Sequence, residues 1–131
     1  MALVEWQTEY SVGSERLDQQ HQRIVGMINQ LGEAMDTGAE KTALMKILSD
    51  LAGYTKTHFA EEERMLEQCA YPALGEHRAR HADLTRQLAD FYRNFYVKTK
   101  PQTKEVMDFL QHWLYDHILE QDKAYASHLN G

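Results

Sequence analysis

Two short stretches of the sequence carry metal-binding residue types at a spacing that suits a helix. His58 and Glu62 are four residues apart, and so are His77 and His81. Residues at positions i and i+4 of a helix lie one turn apart on the same face, so each pair would present two ligand atoms to one point. Imidazole and carboxylate are common ligands of first-row transition metals. The two stretches therefore predict a metal site built on helices.

The elements that would position these residues are four long helices. Apolar residues recur at alternating steps of three and four along residues 18–36, 41–66, 72–97 and 102–127. This spacing is typical of helices that bury one face. Asp18 is the expected N-cap of the first helix, and Pro72 suits the first turn of the third. Short connections between helices of this length favour an all-α, antiparallel up-down-up-down four-helix bundle.

Length and composition indicate one soluble domain that does not bind nucleic acid. The bundle is expected over residues 16–128 of a single domain spanning 1–131, after an irregular N-terminal arm over 1–15. The net charge of −6 and the scattered basic residues argue against a phosphate-binding surface. No segment resembles a membrane helix or a signal peptide. Cys69 is the single cysteine, so no internal disulfide can form, and a cytoplasmic location is expected.

An antiparallel bundle would bring further ligands to the same end of the molecule. The starts of the first and third helices meet the ends of the second and fourth. A single histidine on an apolar face is usually a core residue, but five imidazoles and two carboxylates buried together would be costly without a cation. The residues near these four helix ends are therefore predicted to hold a metal cluster: His21, His58, Glu62, His77, His81, His117 and Asp122.

Asp122 does not fit the helical spacing of the other predicted ligands, and some polar residues nearby are expected to lie outside the cluster. Asp122 follows His117 by five residues, which places it about 140° away around a regular helix. It can join the cluster only through a widened π-helical turn or by reaching in from the flank. The carboxylates on either side of Glu62 are expected to face solvent, and so are His112 and His128.

The size of the ligand set indicates two metals rather than one. A single zinc takes about four ligands. Two six-coordinate metals would share the two carboxylates as bridges and, with a bridging oxo or hydroxo group, would keep one position open for a small molecule. The Glu-x-x-His motif of ferritin-like di-iron enzymes does not occur in the sequence. The nitrogen-rich ligand set favours binding oxygen over activating it.

These segments together resemble the hemerythrin family, in particular its single-domain bacterial members. The resemblance implies a cluster of two iron ions that alternate between ferrous and ferric states under an oxo or hydroxo bridge. It implies reversible dioxygen binding for storage or delivery, with no enzymatic activity and no catalytic residue. The matching segments are WQTEY at 6–10, Val12-Gly13, LDQQH at 17–21, HFAEE at 58–62, HRARH at 77–81 and HWLYDHILEQD at 112–122.

The resemblance also implies a role for each residue of the site. One iron is held by three histidines and is coordinatively complete, the other is held by two histidines and has the vacancy, and two carboxylates bridge them. In that order the residues are His77, His81 and His117; His21 and His58; and Glu62 and Asp122. The position of Leu114 lines the oxygen pocket in the family, and Trp113 and Phe59 pack nearby.

Two other functions stay open from the sequence. An oxygen or redox sensor would have to act through a partner, because 131 residues leave no room for an attached signalling domain. A di-iron oxidase, a peroxidase or an iron-handling protein is disfavoured by the nitrogen-rich ligand set. The expected partners are dioxygen and an oxygen-consuming enzyme that receives it, and the chain is expected to be a monomer.

Overall fold

The computed structural model describes residues 4–97, 103–115 and 122–130, and these form the predicted all-α four-helix bundle. The fourth predicted helix is described in two parts, α4 and α5, because residues 116–121 lie outside the described ranges. Short connections join α1 to α2 and α2 to α3, and α1 packs against both α2 and α4. The helices are α1 (Glu15–Asp36), α2 (Lys41–Gln68), α3 (Leu74–Val97), α4 (Thr103–Tyr115) and α5 (Lys123–Asn130).

The first helix begins earlier than predicted. Ser14 is its N-cap, and the Ser14 hydroxyl oxygen accepts a hydrogen bond from the Leu17 N–H at 3.3 Å. The prediction that Asp18 caps this helix is wrong, because its carboxylate instead accepts hydrogen bonds from the Ser11 hydroxyl and the Val12 N–H. Asp18 therefore fixes the arm to the first turn of α1, and the helix gains three residues.

One face of α2 shows how the core is built. Leu44, Leu48 and Leu51 are fully buried, and the face continues through Thr55, Phe59 and Leu66. With the buried Glu62 between Phe59 and Leu66, these residues recur at steps of three and four, so one face of α2 stays buried along the helix. Ile47, Tyr54 and Met65 lie on the flanks of this face and are half-buried.

The N-terminal arm packs against the bundle. Val4 is buried and forms two hydrogen bonds with the Asn29 side chain of α1. The Val4 N–H donates to Asn29 Oδ1 at 2.9 Å, and Asn29 Nδ2 donates to the Val4 carbonyl at 2.7 Å. The ring of Tyr10 lies 5.9 Å from that of Tyr115 in α4, so the arm also contacts the fourth helix.

Substitution of Asn29 tests how much this contact contributes. We expect Asn29→Ala to lower the free energy of unfolding by about 1–3 kcal/mol, because both backbone groups of Val4 lose their partners in a buried setting. Urea denaturation measures the change. Asn94→Ala, at an exposed position of α3, is the control and should stay within about 0.5 kcal/mol. Equal stabilities of the two variants would show that the arm is not held through Asn29.

The surface of the described ranges is polar. Exposed ion pairs one helical turn apart, such as Lys46–Asp50 at 3.1 Å, solvate the outer faces. Val97 is the large apolar residue with extensive exposure in these ranges, at 75%. None of the helices traced in these ranges has both the length and the apolar character that crossing a membrane requires.

Candidate metal centre

The predicted ligands meet at one end of the bundle. Six of the seven lie in the described ranges, and each is at most 3% exposed although all are polar or ionisable. They come from α1, α2, α3 and the turn before α5: His21, His58, Glu62, His77, His81 and Asp122. The seventh, His117, lies outside the described residues. The nitrogen and oxygen atoms form two overlapping groups, each with all its atoms within 4.8 Å of one another.

Glu62 lies at the centre and belongs to both groups. Its Oε2 atom is 3.4 Å from His21 Nε2 and 3.2 Å from His58 Nε2. Its Oε1 atom is 2.6 Å from His77 Nε2 and 3.0 Å from His81 Nε2. Each oxygen of one carboxylate thus faces a different pair of imidazoles. This is the arrangement that a bridging carboxylate requires.

Asp122 repeats this arrangement from the other side of the cluster. Its Oδ2 atom lies 2.9 Å from His21 Nε2, and its Oδ1 atom lies 3.4 Å from His77 Nε2. The backbone at Asp122 belongs to a π-helical turn, the first of the two routes predicted for it.

The spacing of the donor atoms suits ligands of shared metal ions. Two ligands at right angles on one metal, each with a bond of about 2.1 Å, are about 3.0 Å apart. The nitrogen–oxygen distances in the cluster run from 2.6 to 3.4 Å, on either side of that value. Imidazole lone pairs that face carboxylate oxygens at this range repel unless a cation lies between them. The cluster is therefore able to hold metal ions.

The charges of the cluster shift the pKa values of its members in opposite directions. Burial alone would raise the pKa of Glu62, but its four histidine partners outweigh this and hold it well below the usual value. Burial lowers the pKa of His21 and His77, yet Asp122 and Glu62 raise both to about 9. For His58 burial prevails over Glu62 and the pKa is lowered. Without metal, imidazolium ions therefore compensate the carboxylates.

These shifts predict how the stability of metal-free protein depends on pH. A histidine whose pKa is raised by folding stabilises the folded state below its unfolded value of 6.5, and this contribution is lost as the pH rises through about 9. We therefore expect the free energy of unfolding of chelator-treated protein to fall over this window. Urea denaturation at a series of pH values measures it, with metal-loaded protein as the control. A flat profile for the metal-free protein would contradict the expectation.

Gln20 supports His58 from outside the cluster. The Nδ1 atom of His58 lies 2.6 Å from Gln20 Oε1, and Gln20 Nε2 donates to Glu61 Oε2 at 2.7 Å. Arg16 pairs with the same Glu61 carboxylate at the surface. A chain of polar contacts therefore runs from His58 outward to solvent.

Glu63 plays the corresponding part for His81. The Nδ1 atom of His81 lies 2.9 Å from Glu63 Oε2, and the other oxygen of Glu63 lies 3.3 Å from Arg78 Nε. The prediction that both neighbours of Glu62 face solvent is wrong, because each carboxylate is largely covered, and each is linked to a histidine, Glu61 through Gln20 and Glu63 directly. The pairing depends on how α2 packs against α1 and α3, which no spacing within α2 reveals.

Tyr125 is a member of the site that the sequence analysis did not identify. It is fully buried, and its hydroxyl donates to Glu62 Oε2 at 3.1 Å. Burial, together with the charges of Asp122 and Glu62, raises the pKa of Tyr125 far above its ordinary value. The hydroxyl therefore stays protonated and keeps donating to the central carboxylate.

An apolar wall lies beside His81. The Phe59 ring stacks on the His81 imidazole, with centroids 3.9 Å apart and planes 8° from parallel. The ring centroid of Trp113 lies 6.4 Å from that of Phe59. The Trp113 indole N–H donates to the Leu84 carbonyl at 3.1 Å. Leu114, the third predicted pocket residue, is buried next to Trp113 in α4. His112 is exposed, as predicted.

A helical bundle that gathers buried histidines around shared carboxylates at one end defines a class of metal-binding proteins, and comparison with known proteins identifies the family. The model of the hemerythrin HHE cation binding domain matches residues 12–129. A bacteriohemerythrin of Stenotrophomonas maltophilia is 34% identical, over 99% of this chain and 86% of its own length. The chain therefore belongs to the hemerythrin family.

More distant relatives and solved structures extend this likeness. The myohemerythrin of Riftia pachyptila is 27% identical, over 95% of this chain and 92% of its own length. A crystal structure of wild-type hemerythrin superimposes with a TM-score of 0.88 at 29% identity, covering 99% of this chain and all of that one. The family resemblance and the four-helix bundle predicted from the sequence are thus confirmed.

Proposed function

We propose that this protein binds dioxygen reversibly at a di-iron centre and serves in oxygen storage or delivery. The observation that carries the proposal is the division of the two carboxylates. Glu62 and Asp122 each turn one oxygen toward His21 and the other toward His77. Imidazoles outnumber carboxylates among the donors, and the curated relatives are named bacteriohemerythrin and myohemerythrin.

The proposed ligands divide between two iron positions. One iron would be held by His21 and His58, and the other by His77 and His81 together with His117, which enters from the sequence alone. Glu62 and Asp122 would bridge the two irons along with an oxo or hydroxo group. When bound, the iron pair supplies the electrons that hold dioxygen and recovers them on release.

The residues around the cluster would protect it. Phe59 and Trp113 form an apolar wall on the side of His81, and the buried Leu114 adjoins it. Such a wall excludes the water and protons that would make oxygen binding irreversible. Tyr125 holds the central carboxylate in place by donating a hydrogen bond to it.

The protein would act as a monomer in the cytoplasm and pass oxygen to an oxygen-consuming enzyme. The polar surface of the described ranges, where Val97 is the extensively exposed large apolar residue, supports a monomer. The half-buried Cys69, whose thiol donates to the Leu66 carbonyl at 3.5 Å, suits a reducing compartment.

Oxygen cycling of the iron-loaded, reduced protein tests the function. We expect a visible absorption band to appear on adding oxygen and to vanish when argon replaces it, over repeated cycles. His77→Ala should lose at least one iron and the band with it. Rapid irreversible bleaching, or turnover of an added reducing substrate, would instead favour an oxidase or peroxidase and contradict the proposal.

A further inference from the structure

His58 and His81 each face a hydrogen-bond acceptor at Nδ1, and the two acceptors differ chemically. His58 Nδ1 faces the neutral amide oxygen of Gln20 at 2.6 Å, whereas His81 Nδ1 faces the carboxylate of Glu63 at 2.9 Å. His58 and His81 belong to the two different groups of potential ligands. The acceptor behind the imidazole is thus neutral for His58 and anionic for His81.

The hydrogen-bonding partners fix which ring nitrogen carries the proton. The carboxylate of Glu61 can only accept, so the Gln20 amide turns its NH₂ group toward Glu61 and its oxygen toward His58. His58 must then donate from Nδ1. The carboxylate of Glu63 likewise requires His81 to donate from Nδ1. In both rings Nε2 is left to face the cluster.

We infer that Glu63 is a positioning residue that strengthens His81 as a metal ligand and so adds to the difference between the two metal positions, an inference that rests on the proposed di-iron function. A carboxylate that accepts from Nδ1 holds the ring in place and makes Nε2 a stronger donor to a cation. The neutral amide of Gln20 provides the orientation without the added charge. Glu63 therefore increases the affinity for the metal held by His81, whereas Gln20 gives no such increase for the metal held by His58.

An ion pair between Arg78 and the second oxygen of Glu63 fixes the Glu63 side chain. Arg78 lies 3.3 Å from Glu63 Oε1 and also 3.3 Å from Glu67 Oε2. The Glu63 side chain is 25% exposed, whereas that of Glu67 is 68% exposed. Glu67 therefore carries the same charge and pairs with the same arginine, but it contacts no imidazole among the described side chains. The chain itself offers a matched control.

Iron release to a chelator from the iron-loaded full-length protein tests the inference. Glu63→Gln replaces the carboxylate by the kind of group that already serves His58. We expect it to weaken the affinity for one iron by about 10–100-fold, seen as faster release of that iron, and to leave the other within about twofold. Glu67→Gln should leave both release rates unchanged, and circular dichroism should show both variants folded.

A spectroscopic readout separates donor strength from general stability. In zinc-loaded, ¹⁵N-labelled protein, the Nδ1–H signal of His81 should shift in Glu63→Gln, while that of His58 stays in place. Equal iron release in the two variants, or an unshifted His81 signal, would overturn the inference while the protein still bound two irons. Failure of the unsubstituted protein to retain iron would instead contradict the proposed function itself.

Discussion

Replacement of Glu62 by glutamine should abolish binding of at least one metal. Glutamine keeps the shape of the side chain but turns an NH₂ group, which cannot bind a cation, toward one of the two histidine pairs. In the unsubstituted protein the two Glu62 oxygens face different halves of the cluster. One lies 2.6 Å from His77 Nε2 and the other 3.2 Å from His58 Nε2. Loss of a bridging carboxylate therefore weakens binding at both metal positions. We expect the iron affinity at one of them to fall by more than about 100-fold, which exceeds the effect of losing a hydrogen-bond partner of a metal ligand, about 10–100-fold.

Isothermal titration of metal-free protein with ferrous iron under anaerobic conditions measures this loss. Glu67→Gln, which removes the same charge from an exposed position of the same helix, is the control and should bind like the unsubstituted protein. Two intact binding steps in the Glu62→Gln variant would show that this carboxylate does not bridge two metals.

Truncation of Leu110 should have the largest effect on stability. Leu110 is fully buried in α4 and belongs to the main apolar core. Leu110→Ala removes three side-chain carbons, the γ carbon and both methyl groups, and leaves a cavity that rigid helices close only in part. We expect the free energy of unfolding to fall by about 2–5 kcal/mol.

Denaturation of the metal-free forms in urea measures this effect without the added stability of bound metal. Val97→Ala, at a side chain that is 75% exposed, should change the free energy by less than about 0.5 kcal/mol. A change of that small size for Leu110→Ala would mean that α4 does not pack against the core as described.

The fold was predictable because its determinants are local. Spacing such as Leu44, Leu48 and Leu51 defines a buried helix face without knowledge of the partner helix. Helix ends were less predictable, since Ser14 and Asp18 are both good capping residues and the arm decides between them. Asp18 is engaged by Ser11 and Val12, and this contact depends on how the arm folds back.

The site was predictable to the extent that helix geometry determines it. The pairs His58–Glu62 and His77–His81 follow from the i, i+4 rule, and bundle topology brings them together. The hydrogen bonds of Gln20 and Glu63 were not predictable, because each joins two helices whose rotation about their axes the sequence pattern does not specify. The misfit in spacing at Asp122 left two alternatives, a π-helical turn or a side chain reaching in from the flank, and the structure assigns π-helical backbone to Asp122.

The number of irons bound per chain tests the central claim most directly. Two adjacent metals are required, because Glu62 and Asp122 each turn one oxygen toward His21 and the other toward His77. Elemental analysis of protein reconstituted with ferrous iron and freed of excess metal should give two irons per chain. A ratio of one iron per chain, unchanged at higher iron concentrations, would contradict it.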